Sequence, residues 1–335
     1  MTGFNPRWRK IAAYLGIDFL LEKLNIIIMR QRKLTARIEQ IEQRLGEMAP
    51  ASRGPDKGTQ THLTLRYREL AAQGTILPFE EVEFRNYSQF GEDGILHYIF
   101  SLIGTHDKRA VEFCAGIGSE CNAANLIINH GWTALLVDGD EDHVAQGEKF
   151  FSEHPDTKYN KPLFLHRWIT RDNINDIIRD TGFDGEIDLF SLDMDGVDYW
   201  IWEAVTAILP RVIILEVNPH MGEEAVTVPY ADDFTTQWIR IKERVSETPD
   251  WADKNIGQWT MYGGASLAAF NSLAKRKGYR LVGCNRFGSN VIFLRNDVGT
   301  DYFQAVSEND CKPAATLRDR ERGARGLRDQ TLIHV

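Results

Sequence analysis

The stretch GGASLAAFNSLAKRKGYRLVGCNRFGSNVIFLRN, residues 263–296, decides the fold. Its first half reads as a helix; YRLVGCN, a short RFGS turn and NVIFLRN then read as a closing β-hairpin. Upstream, apolar runs alternate with helix-length segments. The predicted strands are Ala110–Phe113, Thr133–Val137, Leu163–Trp168, Ile187–Leu192 and Arg211–Val217. That alternation is the pattern of a parallel, doubly wound α/β sheet. The terminal hairpin makes it a seven-stranded, Rossmann-like sheet with an antiparallel finish, where a dinucleotide fold would stop at a sixth parallel strand.

The chain has 335 residues, of which 43% are apolar, enough for a sizeable core. A net charge of -9 argues against general affinity for nucleic acid. The four cysteines, Cys114, Cys121, Cys284 and Cys311, show no CxxC spacing or framework pattern, which predicts reduced thiols in a cytosolic compartment. No uninterrupted apolar run approaches the roughly 20 residues needed to span a bilayer, and no signal-peptide pattern opens the chain. The expected protein is soluble and cytoplasmic.

Four segments are expected: a helical arm over 1–48, a linker over 49–60, the sheet domain over 61–300 and a tail over 301–335. In the arm, Ile17, Leu20, Leu24, Ile27, Gln31, Leu34, Ile38, Ile41, Leu45 and Met48 recur in steps of three and four. This heptad seam predicts a coiled coil and a homo-oligomer, with Arg37 and Glu42 at its flanks. The alternatives are a stripe folded back on its own domain, or a membrane-surface helix built on Trp8, Arg7, Arg9 and Lys10. APASRGPDKGTQ (49–60) reads as a linker. The charge-dense RDRERGARGLRDQ (318–330) reads as a disordered tail or a solvated helix.

After the first predicted strand comes VEFCAGIGSECNAANLI (111–127). Gly116 and Gly118 there allow a tight turn close to a ligand, before a helix expected near Ser119. Cys121 stands where GxGxxG would require its third glycine. The second strand ends at Asp138, whose carboxylate is placed to accept hydrogen bonds from a ribose.

Together, NYSQFGEDGILHYIF, VEFCAGIGSECNAANLI, LLVDGDE, DLFSLDMDGVDYWIWEAV, VIILEVNP and the closing stretch resemble the FkbM-like S-adenosylmethionine-dependent methyltransferases over about residues 84–297. The resemblance implies a seven-stranded methyltransferase sheet and S-adenosylmethionine as cofactor. It implies an O-methyltransferase acting on a sugar hydroxyl or a glycan or polysaccharide intermediate. By position, Glu112, Ala115, Gly116 and Gly118 line the methionine side of the cofactor, Asp138 holds the ribose, and Gln89 and Asp93 reach the amino-acid end. Residues 168–170 are expected near the adenine. Many relatives carry glycine where this chain has Cys114.

For the chemistry, Asp193 and Asp195 end the fourth predicted strand, and Glu216, Asn218 and His220 end and follow the fifth. Residues two apart on a strand share a face, so these groups are expected to converge on one oxygen-rich pocket. Asp193, Asp195 and Glu216 suit Mg²⁺, or can hold substrate hydroxyls and receive a proton; His220 is a candidate base. Asp198 is expected to serve its own helix. The segment 219–263 is long for a connection and carries Tyr230, Trp238, Trp251, Trp259 and Tyr262, with Trp238 on a helix-like, core-facing stretch. Two other readings remain: a non-catalytic oligomeric scaffold, and a NAD-dependent oxidoreductase.

Overall fold

The computed structural model describes Lys23, residues 28–31, Lys33, Arg37, and residues 54–240, 259–312 and 317–335. The chain divides into two units, Met1–Ala51 and Ser52–Val335. In the first, the described residues are helical and exposed. Of the heptad seam only Gln31 is among them. The other seam positions and the coiled coil they predict lie outside the described residues.

In the second unit the strands are β1 (Arg109–Phe113), β2 (Thr133–Asp138), β3 (Leu163–His166), β4 (Gly185–Leu192), β5 (Ile208–Glu216), β6 (Val226–Thr227), β7 (Gln237–Arg240), β8 (Trp259–Tyr262), β9 (Tyr279–Cys284), β10 (Asn290–Arg295) and β11 (Ile333–His334). The expected seven-stranded sheet is present, in the order β3-β2-β1-β4-β5-β10-β9. β1 pairs in parallel with β2 and β4, β4 with β5, and β2 with β3, whereas β10 runs antiparallel to β5 and to β9.

Successive side chains of a strand point to opposite faces, and here both faces are apolar. Val111, Phe113, Leu135, Val137, Ile213 and Leu215 enter one core cluster. Ala110, Ala134, Leu136, Val212 and Ile214 enter the other. Helices cover both sides, so the inner strands read as near-continuous apolar runs. The helix Leu267–Lys277 ends at Gly278 in the left-handed conformation and leads directly into β9.

Four expectations need correction. Residues 57–60 are not linker: the helix Lys57–Ala72 begins at Lys57, capped by Asp56, whose carboxylate accepts from Thr59 N at 2.7 Å. Its Gln60 is fully buried and bonds to Asn125 and His130. The helix after β1 begins at Ala124 rather than near Ser119, because the Glu112 carboxylate takes up the N–H groups of Asn122 and Ala123. Trp238 lies on a strand, not a helix, and is 64% exposed; β7 pairs antiparallel with β8.

The fourth correction concerns the tail. Leu317–Gly326 is a helix, Leu327 behind it is buried, and β11 pairs antiparallel with β6. Tyr262 Oη donates to Thr331 O at 2.8 Å, and Val335 N donates to Ala225 O at 3.0 Å. The tail is therefore bound to the 219–263 segment. Trp251 of that segment lies outside the described residues. Among the described residues, no helix is long and apolar enough to cross a membrane.

Candidate active site

The chain runs from β1 outward to β2 and β3, then returns to β4 on the other side of β1. Such a reversal leaves a crevice beyond the carboxyl ends of the two central strands. Cys114 follows β1 with φ +61, and Asp195 follows β4 with φ +54. Both occupy the left-handed region that non-glycine residues rarely adopt; such outliers cluster at functional sites. The Cys114 thiol is pushed well up, first by burial and then by Asp198, Asp138, Asp193 and Asp195. It stands between the carboxylates of both strand ends. The sequence signal for it was a cysteine in a position where relatives carry glycine.

On the β1 side, Gly116 has φ +55, and a Cβ built on it would meet nothing within 4 Å. Its N–H donates to Asp138 Oδ2 at 2.8 Å. Open space therefore lies over a turn anchored to β2, which is what a ligand lying against the backbone requires. Gly118 differs from expectation: its Cβ would approach Phe151 at 2.8 Å and Phe164 at 2.9 Å, so it is a glycine for the protein's own packing. Ala115 is buried beneath the turn, its N–H held by Val137 O at 3.1 Å.

Three of the expected cofactor carboxylates are partly or wholly occupied inside the protein. Glu112 Oε1 accepts from Asn122 N at 2.9 Å and from Ser191 Oγ at 3.2 Å, and Oε2 accepts from Ala123 N at 2.8 Å. It shapes the loop, and burial raises its pKa. Asp93 Oδ2 accepts the N–H groups of Asn86, Tyr87 and Ser88, and burial pushes its pKa up to about 6. It too fastens a loop; its Oδ1 is buried without a hydrogen-bond partner. Gln89, in the same loop, is exposed. Asp138 accepts from Gly116 N, and from Asp140 N at 2.9 Å, with His143 Nδ1 at 3.3 Å. A carboxylate has about four lone-pair sites, so Asp138 retains room for roughly one ribose hydroxyl rather than two.

On the β4 and β5 side, Asp193, Asp195 and Glu216 each offer an oxygen within 4.8 Å of the others. Asp193 and Glu216 bring their carboxyls side by side, a pairing of like charges that disfavours ionising both. Both pKa values are raised, by burial first; Asp193 then raises Glu216 further while Glu216 lowers Asp193, and Asp195 and Asp198 raise both. Glu216 is therefore the group held more firmly in its neutral form, and Asp193, pushed up to about 7, is the one that ionises first.

The convergence was expected, but its cause differs. β4 stops at Leu192, and Asp193 and Asp195 lie on a loop folded by Asp198, which accepts from Met194 N at 2.6 Å and Gly196 N at 2.9 Å. Asp198 is thus structural, but it fastens the loop before its helix rather than capping the helix itself. Asn218 does not join the pocket: its amide donates to Met261 O and Gly263 O, and its oxygen accepts from His220 N. His220 is outside the carboxylate group as well. Its Nδ1 lies 2.9 Å from Thr260 Oγ1 and its ring packs against Gly323 of the C-terminal helix.

Residues 232–236, in the segment after β5, lie against the loops beyond these strand ends. Trp168 Nε1 donates to Asp232 O at 2.6 Å, Thr236 Oγ1 donates to Asp195 O, and Phe234 lies against Gly196. Arg171 is held between the rings of Trp200 and Tyr230, 5.4 and 5.2 Å from their centroids. Trp168 also covers Gly139, the residue after Asp138. Trp259 is 47% exposed and Tyr262 is buried.

No protein-family model and no curated protein matches this sequence. Similar solved structures include the glycopeptide N-methyltransferase MtfA complexed with sinefungin, at 12% identity, covering 60% of this chain and 85% of that one, with a TM-score of 0.38. The N-terminal domain of EvdMO1 with SAH bound is 13% identical, covering 70% of this chain and 96% of that one, with a TM-score of 0.37. The geranyl diphosphate C-methyltransferase from Streptomyces coelicolor A3(2) is 15% identical, covering 40% and 49%, with a TM-score of 0.29. These superpositions are too loose to place a ligand or assign a residue; the functional reading rests on the sheet order and strand-end geometry of this chain itself.

Proposed function

We propose that this chain is an S-adenosylmethionine-dependent O-methyltransferase acting on a sugar hydroxyl or a glycan intermediate. The observation that carries the reading is the pairing of two features across one crevice. An open glycine turn tied to Asp138 lies at the ends of β1 and β2, and a carboxyl pair lies at the ends of β4 and β5.

S-adenosylmethionine, when bound, supplies an electrophilic methyl group on a sulfonium. The turn at Gly116 gives it room against the backbone, and Asp138 has capacity for a ribose hydroxyl. The cluster Asp138, Asp193, Asp195 and Asp198 around Cys114 favours a positive charge in the crevice. An acceptor hydroxyl must lose its proton as the methyl arrives, and the Asp193 carboxylate, beside Glu216, takes that proton. The 228–236 segment, fastened to Trp168 and Asp195, restricts water above the pair.

A second reading rests on the 4.8 Å grouping of oxygens. Hard oxygen donors at this spacing fit Mg²⁺, and Asp193, Asp195 and Glu216 would hold it, polarising the acceptor oxygen. Chelator separates the two: activity that survives chelation belongs to the carboxyl pair, and activity lost to chelator and restored by Mg²⁺ belongs to the metal. The reaction itself is tested by mass spectrometry of the native glycan with and without this protein. The expected difference is one CH₂ per modified sugar; identical glycans would refute the acceptor class.

A further inference from the structure

We propose that Cys284 and Cys311 form a modification site: a thiol pair that a disulfide oxidant converts into an intramolecular disulfide, stapling the C-terminal segment to the sheet. Cys284 is the last residue of β9 and partly exposed; Cys311 ends the short helical turn Glu308–Cys311 and is buried. The turn Glu308–Cys311 packs against β9, and the Cys284 thiol is the foremost influence on the Cys311 thiol. Their backbones are held alongside independently of the sulfurs, because Val306 N donates to Leu281 O at 2.9 Å and the Ser307–Asp310 capping box sets the turn that presents Cys311. Both cysteines pack against the same apolar cluster. By contrast, Cys121 Sγ donates to Gly118 O, and Cys114 stands among carboxylates at the crevice.

The chemistry is thiol–disulfide exchange. The accessible Cys284, as thiolate, attacks oxidised glutathione; its sulfur–sulfur bond breaks and one glutathione thiolate leaves. Cys311, losing its proton to solvent, then attacks the Cys284 sulfur and expels the second glutathione. Two protein thiols are oxidised and one glutathione disulfide is reduced to two thiols. The Cys284 thiol and burial push the Cys311 thiol up, so the second step is the slow one. The closed loop ties β9 to the segment that continues into the helix Leu317–Gly326 and β11. Oxidation therefore fastens the strap that holds the 219–263 segment.

The full-length chain is incubated with oxidised glutathione, and its intact mass and non-reducing peptide map are followed. The expected result is loss of two hydrogens with one cross-link, Cys284 to Cys311, reversed by reductant. Cys311→Ser is expected to stop at a glutathione adduct on Cys284, and the oxidised wild type to melt about 5–10 °C higher than the reduced. A wild type that keeps both thiols, forms an adduct at Cys284 that never resolves, or cross-links through Cys114 or Cys121 overturns the proposal.

Discussion

Strand β4 carries one carboxylate in its body and another just beyond its end, and the protein treats the two differently. Within the strand, Asp188 is fully buried, receives N–H groups from His106, Asp107 and Lys108, and pairs with Arg211 at 2.6 Å. Arg211 in turn donates to Gly104 O and Ile103 O. Just beyond the strand's carboxyl end, Asp193 faces a second carboxylic acid, Glu216, with further acids around it. A buried carboxylate surrounded by donors completes a structure. One surrounded by carboxyl groups keeps a proton or waits for a cation, and that separates scaffold from site.

Neutralising each aspartate in turn puts this contrast at risk most directly. Asp193→Asn is expected to lower turnover by about 10²–10⁴-fold, the usual share of a general base, with cofactor affinity and folding nearly unchanged. Wild-type turnover in this variant would move the catalytic centre elsewhere. The pH dependence has a defined sign. Proton uptake needs the Asp193 carboxylate, so turnover should rise with pH through the neutral region where Asp193, pushed up to about 7, releases its proton. Stability runs the other way. A carboxyl whose folded pKa lies above its unfolded value of 3.8 stabilises fully below that value, and the contribution is lost as pH rises through about 7. Denaturant titrations from pH 4 to 8 should therefore show Asp193→Asn gaining on wild type as pH increases; a constant difference would remove the raised pKa.

Asp188→Ala should do the opposite: about 3–5 kcal/mol of stability lost, because Arg211 is left buried without its partner, while the catalytic rate of the molecules that remain folded is unchanged. Equal loss of rate per folded molecule would erase the distinction between the two carboxylates. A smaller effect separates the two glycines. Gly118→Ala should cost about 1–3 kcal/mol, since its methyl meets Phe151 and Phe164, whereas Gly116→Ala meets no atom and should cost mainly the backbone conformation and ligand affinity. Chemical denaturation of the pair reads the difference directly.

The sheet was legible because its signals are local. Apolar runs of strand length, helix-length spacers and a hairpin turn each sit within a few residues, and the hairpin at 279–295 set the topology. The convergence of Asp193 with Glu216 was legible from adjacent strand ends. Less visible was which carboxylates are already taken. Glu112 and Asp93 are bound by N–H groups of loops whose shape those same bonds create, and no spacing rule distinguishes such a residue from one that faces a ligand. His220 was a chemical type without a neighbour, and its neighbours, Thr260 and Gly323, arrive from 40 and more residues away. The charge-dense tail concealed Leu327, a single buried anchor in a polar stretch. Trp238 followed its apolar neighbours into a helical reading, but β8 supplies the partner that makes it a strand.

Whether the open carboxyl end of this sheet receives S-adenosylmethionine can be measured without knowledge of the acceptor, by calorimetric titration of the full-length protein. Saturable binding at one site is expected, weakened by about 1.5–3 kcal/mol in Asp138→Ala as a charged acceptor is lost, with Asp193→Asn binding nearly as well as wild type. A folded protein showing no saturable binding would contradict a cofactor site there and leave the fold as a scaffold; an Asp138→Ala variant with unchanged affinity would remove the ribose from the end of β2.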